Sequence, residues 1–283
     1  MDFYNIDAIK ALLARHGFRF SRSMGQNFLI ESWVPRDVAE ASGAGPGTGV
    51  LEIGPGIGPL TTDLARRAEV VVAVELDRSL LPILSETLAD FPNVSIVSGD
   101  VMKLDLATIV EERFHGLTPL VCANLPYNIT TPVLTRLLEG GLFSAITVLV
   151  QKEVAQRICA SPGKGNYGAF SIFCQYHAEP ELLFDVPKEC FLPAPKITSA
   201  VLRLTLHPAP TCVHDETFFF RVVSGAFSQR RKTLLNALSS AFPLSKDDLR
   251  ACIDRVGLPA DVRGERLSIE DFARLSDALQ RLI

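Results

Sequence analysis

Asn124-Leu125-Pro126-Tyr127 is the stretch of the sequence whose residue types point most directly to a reaction. The exocyclic amine of an aromatic base is a poor nucleophile because its lone pair is delocalised into the ring. The Asn124 side-chain oxygen and a backbone carbonyl near Leu125 can each accept one amino hydrogen. That favours a tetrahedral nitrogen and directs its lone pair at an electrophile. Pro126 helps fix the direction of the carbonyl, and Tyr127 offers a flat face on which a base can stack. An ordinary strand exit can carry the same residues, so the weight of the reading depends on where the segment sits among the elements around it.

A second cluster supplies a ligand site. Leu51-Glu52-Ile53-Gly54-Pro55-Gly56-Ile57-Gly58 leaves an apolar strand and opens a helix. Gly54 and Gly56 permit the tight turn and close approach of a ligand to the backbone, and the helix N-terminus favours an anionic group. Glu75 closes the next strand about twenty residues on, where an acid can accept from both ribose hydroxyls. Asp100, after Gly99, closes the third strand and can hold the amino group of an adenine. These features fit either NAD or S-adenosylmethionine. The glycines fall as G-x-G-x-G rather than G-x-G-x-x-G, and Asp100 has a task only with S-adenosylmethionine, so that cofactor is expected. Methyl transfer from a sulfonium to nitrogen needs neither a metal nor a covalent enzyme intermediate. Positioning supplies much of the rate, aided by acceptor groups near the positive sulfur.

The elements that must carry these residues alternate. Apolar runs at 50–53, 69–74, 94–97, 119–123 and 145–150 read as strands, and helices are expected near 58–67, 78–89, 105–113 and 131–139. Continuous apolar strands separated by helices indicate a parallel sheet covered on both faces. In that order Asn124, Glu75 and Asp100 all fall at carboxyl ends of strands, where open α/β sheets bind ligands. Upstream, a helix at 5–16 capped by Asn5 or Asp7 and ended by Gly17 leads into an arm containing Gly25-Gln26-Asn27-Phe28-Leu29, and a second helix covers 31–42. Later, 170–178 and 197–206 look strand-like, the latter as an antiparallel edge. Pro208 to Pro210 reads as a linker. Helices are expected at 215–228, 230–241, 245–255 and 268–282, the last capped by Ser268 with acids in its first turn. The expected division is a catalytic domain over 1–207 and a small helical domain over 208–283.

Composition narrows the class. The 283 residues are 47% hydrophobic and 21% charged, enough for a sizeable core and against wholesale disorder. A net charge of −4 means that any nucleic-acid contact must come from a local basic patch. Arg230, Arg231 and Lys232, with Arg221 upstream, form one at the start of an expected helix, and Lys152, Arg157, Lys164, Lys188 and Lys196 add charge around the target pocket. A short charge run is also what a solvated helix face carries. The six cysteines and five histidines show no metal-ligand spacing, so no metal is expected. The N-terminus lacks a signal peptide and no run is long enough to span a bilayer, so a cytoplasmic protein is expected.

Taken together these residues resemble the KsgA-type small-subunit ribosomal RNA adenine dimethyltransferases. The matching stretches are Gly25-Gln26-Asn27-Phe28-Leu29, Leu51 to Gly56, Glu75, Gly99-Asp100, Asn124 to Ile129, Tyr167-Gly168, Phe191-Leu192-Pro193-Ala194-Pro195 and Phe227 to Leu234, spread over nearly the whole chain. The resemblance implies a Rossmann-like class I methyltransferase sheet with a small helical C-terminal domain that binds RNA or the ribosome. It implies N6,N6-dimethylation of two adjacent adenosines near the 3′ end of 16S rRNA, within the small subunit or its precursor, by a monomer with a role in subunit biogenesis. It further implies that Asn27, Leu29, Gly54, Gly56, Glu75, Asp100 and Asn124 line the cofactor site, with Leu125 and Pro126 completing the reactive segment. Tyr127 and Phe191 would flank the target adenine, although Phe191 reads equally as a core aromatic in a proline-rigidified loop. Two departures, Ser21-Arg22-Ser23-Met24 where the family is often richer in lysine and Ala169 where a basic residue is common, weaken local RNA contacts only. The alternatives are a resistance-type 23S rRNA adenine N6-methyltransferase, which Gly25 and the Gln229 to Lys232 segment disfavour; a ribosome-assembly factor that retains the fold; a DNA adenine methyltransferase, for which no target-recognition insert is visible; and, more distantly, an NAD-dependent reductase.

Overall fold

β-Branched and aliphatic runs of five to seven residues, each followed by an amphipathic helix, build the sheet that the sequence predicts. The structure is a computed structural model, and it describes every residue except Arg22, Ser23, Arg230 and Ile283. The chain forms two compact units, Met1–Ala155 with Glu179–Leu206, and Gln156–Ala178 with His207–Ile283. The division expected at 207/208 assigns 156–178 to the catalytic domain, whereas these residues pack with the helical unit.

In the first unit, α1 (Ile6–Arg15) begins at Asn5, whose side chain accepts from the N–H groups of Asp7 and Ala8. β1 (Phe28–Leu29) and α2 (Trp33–Ala41) lead to the sheet. The alternation then runs β2 (Thr48–Ile53), α3 (Pro59–Ala65), β3 (Val70–Glu75), α4 (Leu81–Thr87), β4 (Val94–Ser98), α5 (Leu106–Phe114), β5 (Thr118–Asn124), α6 (Thr130–Gly140) and β6 (Ala145–Gln151). After α7 (Lys152–Ile158) and α8 (Ala169–His177) come β7 (Ala178–Val186), β8 (Phe191–Leu192) and β9 (Ser199–Leu206). The seven-stranded order is β4-β3-β2-β5-β6-β9-β7. Strands β2 to β6 are mutually parallel and β9 runs antiparallel to β6. Val50, Leu51, Val71, Val72 and Val121 are completely buried, as strands sandwiched between helix layers must be. The chain order reverses between β2 and β5, and the carboxyl ends of these two strands therefore flank the crevice where such sheets take ligands.

Two expectations change. β9 is not the edge of the sheet, because β7 lies outside it. The strand expected at 170–178 is helix α8; its aromatic and β-branched residues suggest a strand, but Gly168 starts a helix there, with its N–H bonded to Ser171 Oγ at 3.0 Å.

Close packing at β2 gives a stability prediction. A Cβ at Gly49 would lie 2.4 Å from Cγ of Phe114, itself fully buried on α5. Gly49→Val should therefore destabilise the protein by about 1–3 kcal/mol through overpacking, visible as a lowered Tm by calorimetry. A Tm equal to that of the parent would show that Phe114 relaxes freely.

The second unit packs α8 with α9 (Glu216–Phe227), α10 (Leu234–Ala241), α11 (Lys246–Arg255) and α12 (Ile269–Gln280). Its core contains Tyr167, Ile172, Tyr176, Phe219, Leu238 and Phe272, and the Tyr167 hydroxyl donates to the Leu267 carbonyl at 3.0 Å. These contacts are what draw 156–178 into the helical unit. Ser268 and Asp271 cap α12 reciprocally, each backbone N–H donating to the other's side chain. Helix α10 starts four residues later than expected. Thr233 is extended and Leu234 N–H donates to the Val262 carbonyl at 2.7 Å, so Arg231 and Lys232 lie in the turn before the helix. Arg230 lies outside the described residues, as do Arg22 and Ser23 of the arm.

Candidate active site

The carboxyl ends of β2, β3 and β5, the loop after β4, and the arm before β1 enclose a cavity of about 260 Å³. Asn27, Leu29, Gly54, Gly56, Glu75, Asp100, Asn124, Leu125, Pro126 and Tyr127 all border it. The first wall is the turn after β2. Gly54 has φ 69° and Gly56 φ 63°, backbone that side chains rarely adopt. A Cβ on Gly54 would meet no atom within 4 Å, so the backbone here faces open space that a ligand can fill. Glu75, 5% exposed, ends β3 with Oε1 accepting from Asp77 N–H at 2.7 Å. Burial raises its pKa, against hydrogen bonds from Asp77, Gly56 and Leu76 that lower it. Asp100 caps its own turn through Met102 N–H at 2.9 Å and remains partly exposed.

The reactive segment is held at both ends. Leu125 N–H donates to the Leu149 carbonyl of β6 at 3.2 Å, and the Pro126 carbonyl accepts from Ile129 N–H and Thr130 Oγ1. Tyr127 is half-buried, its hydroxyl 2.6 Å from Ser199 Oγ on β9; burial raises its pKa. Asn124 Nδ2 donates to the backbone carbonyl of Asn27 at 2.9 Å. That carbonyl can only accept, so the amide is oriented with Oδ1 as its remaining, accepting end.

The arm owes its position to three attachments. Gln26 Nε2 donates to Asp77 Oδ2 at 2.7 Å, and Gln26 Oε1 accepts from Ser21 N–H at 3.1 Å. Strand β1 pairs with β8, matching Phe28 to Leu192 and Leu29 to Phe191. Phe191, read from sequence either as a flank of the target adenine or as a core aromatic, lies in this pairing. Its ring is 2% exposed, packs with Leu29, Val34 and Val201, and does not border the cavity. Glu52, Asp77 and Ser199 are not singled out by sequence. Asp77 is findable, because an acid two residues before Ser79 is an Asx-turn signal and its Oδ1 does accept from Ser79 N–H at 2.9 Å. Ser199 carries no such signal.

Residues 17–281 match the family described as ribosomal RNA adenine dimethylase. The chain belongs to that family. Among curated relatives of this dimethylase, the Ribosomal RNA small subunit methyltransferase A of Geobacillus thermodenitrificans is 47% identical over 280 residues, covering 96% of this chain and 95% of the relative. Its counterpart of the same name in Bacillus mycoides is 48% identical over 276 residues, covering 95% and 94%. Among solved structures, a dimethyladenosine transferase from Plasmodium falciparum shares the fold, with a TM-score of 0.73 at 22% identity over 87% of this chain and 95% of that one. The 23S rRNA methyltransferase ErmE superposes with a TM-score of 0.66 at 25% identity, over 90% of this chain and all of that one. The dimethylase assignment carries dependence on S-adenosylmethionine and the class of ribosomal RNA methyltransferases with it. Among the described residues no helix is long and apolar enough to cross a membrane.

Proposed function

We propose that this enzyme transfers methyl groups from S-adenosylmethionine to N6 of two adjacent adenosines near the 3′ end of 16S rRNA, in the cytoplasm, on the small subunit or its precursor. The observation that carries the reading is the orientation of Asn124. With Nδ2 committed to the Asn27 carbonyl, Oδ1 is turned to accept an amino hydrogen. Since the Pro126 carbonyl already serves Ile129 and Thr130, the Leu125 carbonyl is the second acceptor. Tyr127, braced by Ser199, supplies the stacking face. A base within structured RNA must be splayed out to reach it.

The residues present fit the cofactor: the open space over Gly54 takes its amino-acid portion, Glu75 the ribose hydroxyls, and Asp100 the adenine amine. Asn27 and Leu29 close the arm over it, and Gly56 keeps the turn tight. When bound, S-adenosylmethionine supplies an electrophilic methyl group. The chain's own part is to orient the amine, exclude water and hold the acceptors still.

We further assign catalysis to the unit of Met1–Ala155 with Glu179–Leu206 and RNA or ribosome binding to the helical unit of Gln156–Ala178 with His207–Ile283, in a monomeric enzyme. Arg231 and Lys232, both exposed beside α10, neutralise phosphates. The double variant Arg231→Gln/Lys232→Gln should weaken subunit binding and reduce the slope of log affinity against log salt by about 1 for each phosphate no longer neutralised. An unchanged slope would remove these side chains from the interface.

The reaction is tested by incubating the protein with labelled S-adenosylmethionine and undermethylated small subunits, large subunits or DNA, and mapping the modified bases. Dimethylated adenosines in 16S rRNA are expected. Label confined to large-subunit RNA would overturn the reading in favour of a resistance-type enzyme. Tight subunit binding without label would leave an assembly factor.

A further inference from the structure

Asp100 is carried by a short turn rather than by a strand, and a side chain with no task in the reaction as described holds that turn in place. The turn starts at Gly99, whose N–H donates to the Glu75 carbonyl at the end of β3 at 2.9 Å. It then winds on itself. The Asp100 carbonyl accepts from the N–H groups of Lys103 at 2.8 Å and Leu104 at 3.1 Å, and Asp100 Oδ1 accepts from Met102 N–H. The Leu104 side chain folds back over the start of the turn, so a Cβ on Gly99 would lie 3.1 Å from Leu104 Cδ2. A shift of Leu104 is therefore felt at Gly99 and Asp100. Lys103 Nζ stands 3.9 Å from Asp100 Oδ2, but its side chain is 83% exposed and does little to fix the carboxylate.

The far end of the turn is tied by Arg136. This residue lies on α6, 32 positions further along the chain, and its Nη2 donates to the Leu104 carbonyl at 2.7 Å. The adjoining Asp105 caps α5, its Oδ1 accepting from the N–H groups of Ala107 and Thr108. Arg136 Nε is buried and has no hydrogen-bond partner. A methionine would cover the same surface of α6 without burying an N–H, so stability alone does not account for a guanidinium here. Helix α6 is itself fixed by other contacts: Val133, Leu134, Leu137 and Leu138 are buried along it, and Thr130 Oγ1 donates to the Pro126 carbonyl at its start. One helix thus carries the end of the reactive segment and, nearly two turns on, the tether of the Asp100 turn, about 9 Å further along its axis.

We infer that Arg136 is a positioning residue for adenine recognition. By fixing the Leu104 carbonyl it holds the Asp100 turn where the carboxylate accepts from the adenine amine of the methyl donor. Arg136 does not border the cavity and acts only through the turn. The inference rests on the reading of the cavity as the cofactor site with Asp100 at the adenine.

Base discrimination is the property this arrangement controls. Without the tether the carboxylate is less well placed, and the hydrogen bond specific to the amine weakens. The contacts at Glu75 and over Gly54 are untouched.

The test is calorimetric titration of the full-length protein with S-adenosylhomocysteine and with S-inosylhomocysteine, which bears a carbonyl oxygen in place of the amine. The parent should prefer the adenine form. In Arg136→Met that preference should narrow by about 2- to 12-fold, the worth of one hydrogen bond, with the Kd of the inosine form unchanged or slightly lower. The ratio of two Kd values on one preparation does not depend on the fraction folded, and Arg136→Gln should show the same narrowing where the methionine variant does not fold. Arg136→Lys, which keeps a charged donor, should recover part of the preference. In an Asp100→Ala background Arg136→Met should narrow it no further. With S-adenosylmethionine as substrate, KM for the cofactor should rise while kcat stays within twofold of the parent. Equal weakening of both ligands, or an unchanged ratio, would overturn the inference. So would a fall in kcat at unchanged KM, which would place the effect of Arg136 in the reactive segment. A parent protein that does not prefer the adenine form, or an Asp100→Ala variant that keeps the parent's ratio, would instead sink the assignment of Asp100 and the inference with it.

Discussion

Replacing Asn124 by alanine should reduce methyl transfer by about 100- to 1,000-fold, the usual cost of deleting one preorganised polar group at the reacting centre. The residue is half-buried at the end of β5, so the fold should survive with a Tm close to that of the parent. Asn124→Asp is the more discriminating variant. A carboxylate offers two acceptors but cannot donate to the Asn27 carbonyl, which now takes a hydrogen bond of 2.9 Å from Asn124 Nδ2. If acceptor capacity alone mattered, aspartate would restore activity. Because the orientation depends on the amide donor, aspartate should be nearly as impaired as alanine. Single-turnover rates on undermethylated small subunits provide the measurement. Turnover near that of the parent in Asn124→Ala would refute the role assigned to the side chain.

The second large effect is expected at Glu75. A carboxylate accepting from two ribose hydroxyls contributes about 1.5–3 kcal/mol, so Glu75→Ala should raise the Kd for S-adenosylmethionine roughly 10- to 150-fold. Stability should change less, because burial of this acid already opposes its charged form. Glu75→Gln retains an acceptor for Asp77 N–H and should fall between the two. Calorimetric titration reads the affinity directly. A Kd within twofold of the parent would show that the ribose is held elsewhere.

How far these residues can be found without coordinates depends on the range of the interactions. The parallel sheet is legible because strands buried on both faces are written as uninterrupted apolar runs, and the acids and glycines that end them keep a fixed place relative to each run. Caps at Asn5 and Ser268 are legible because they act within three residues. Strand β7 is not. It contains Pro180 and charged Glu179, Glu181 and Asp185, a composition that argues against a central strand but is tolerated at the sheet edge it occupies. Helix α8 reads as a strand because Phe170, Ile172 and Phe173 are good strand formers, and tertiary packing around Tyr176 and Phe219 overrides that preference. The orientation of Asn124 cannot be read at all. It is set by a carbonyl 97 residues earlier, and nothing local to either residue announces the contact. Phe191 illustrates the same limit in reverse: its motif suggests a ligand contact, and only the pairing of β1 with β8 places it in the core.

The Asn27–Asn124 hydrogen bond also bears on how the enzyme works through successive turnovers. The arm is at once a wall of the cavity and the clamp on the reactive amide. Spent cofactor cannot leave past a lifted arm without freeing the Asn124 Nδ2, and an amide so freed can rotate its donor end toward the amine. The position of the arm at Asn27 and the orientation of the Asn124 amide are thus coupled through one hydrogen bond.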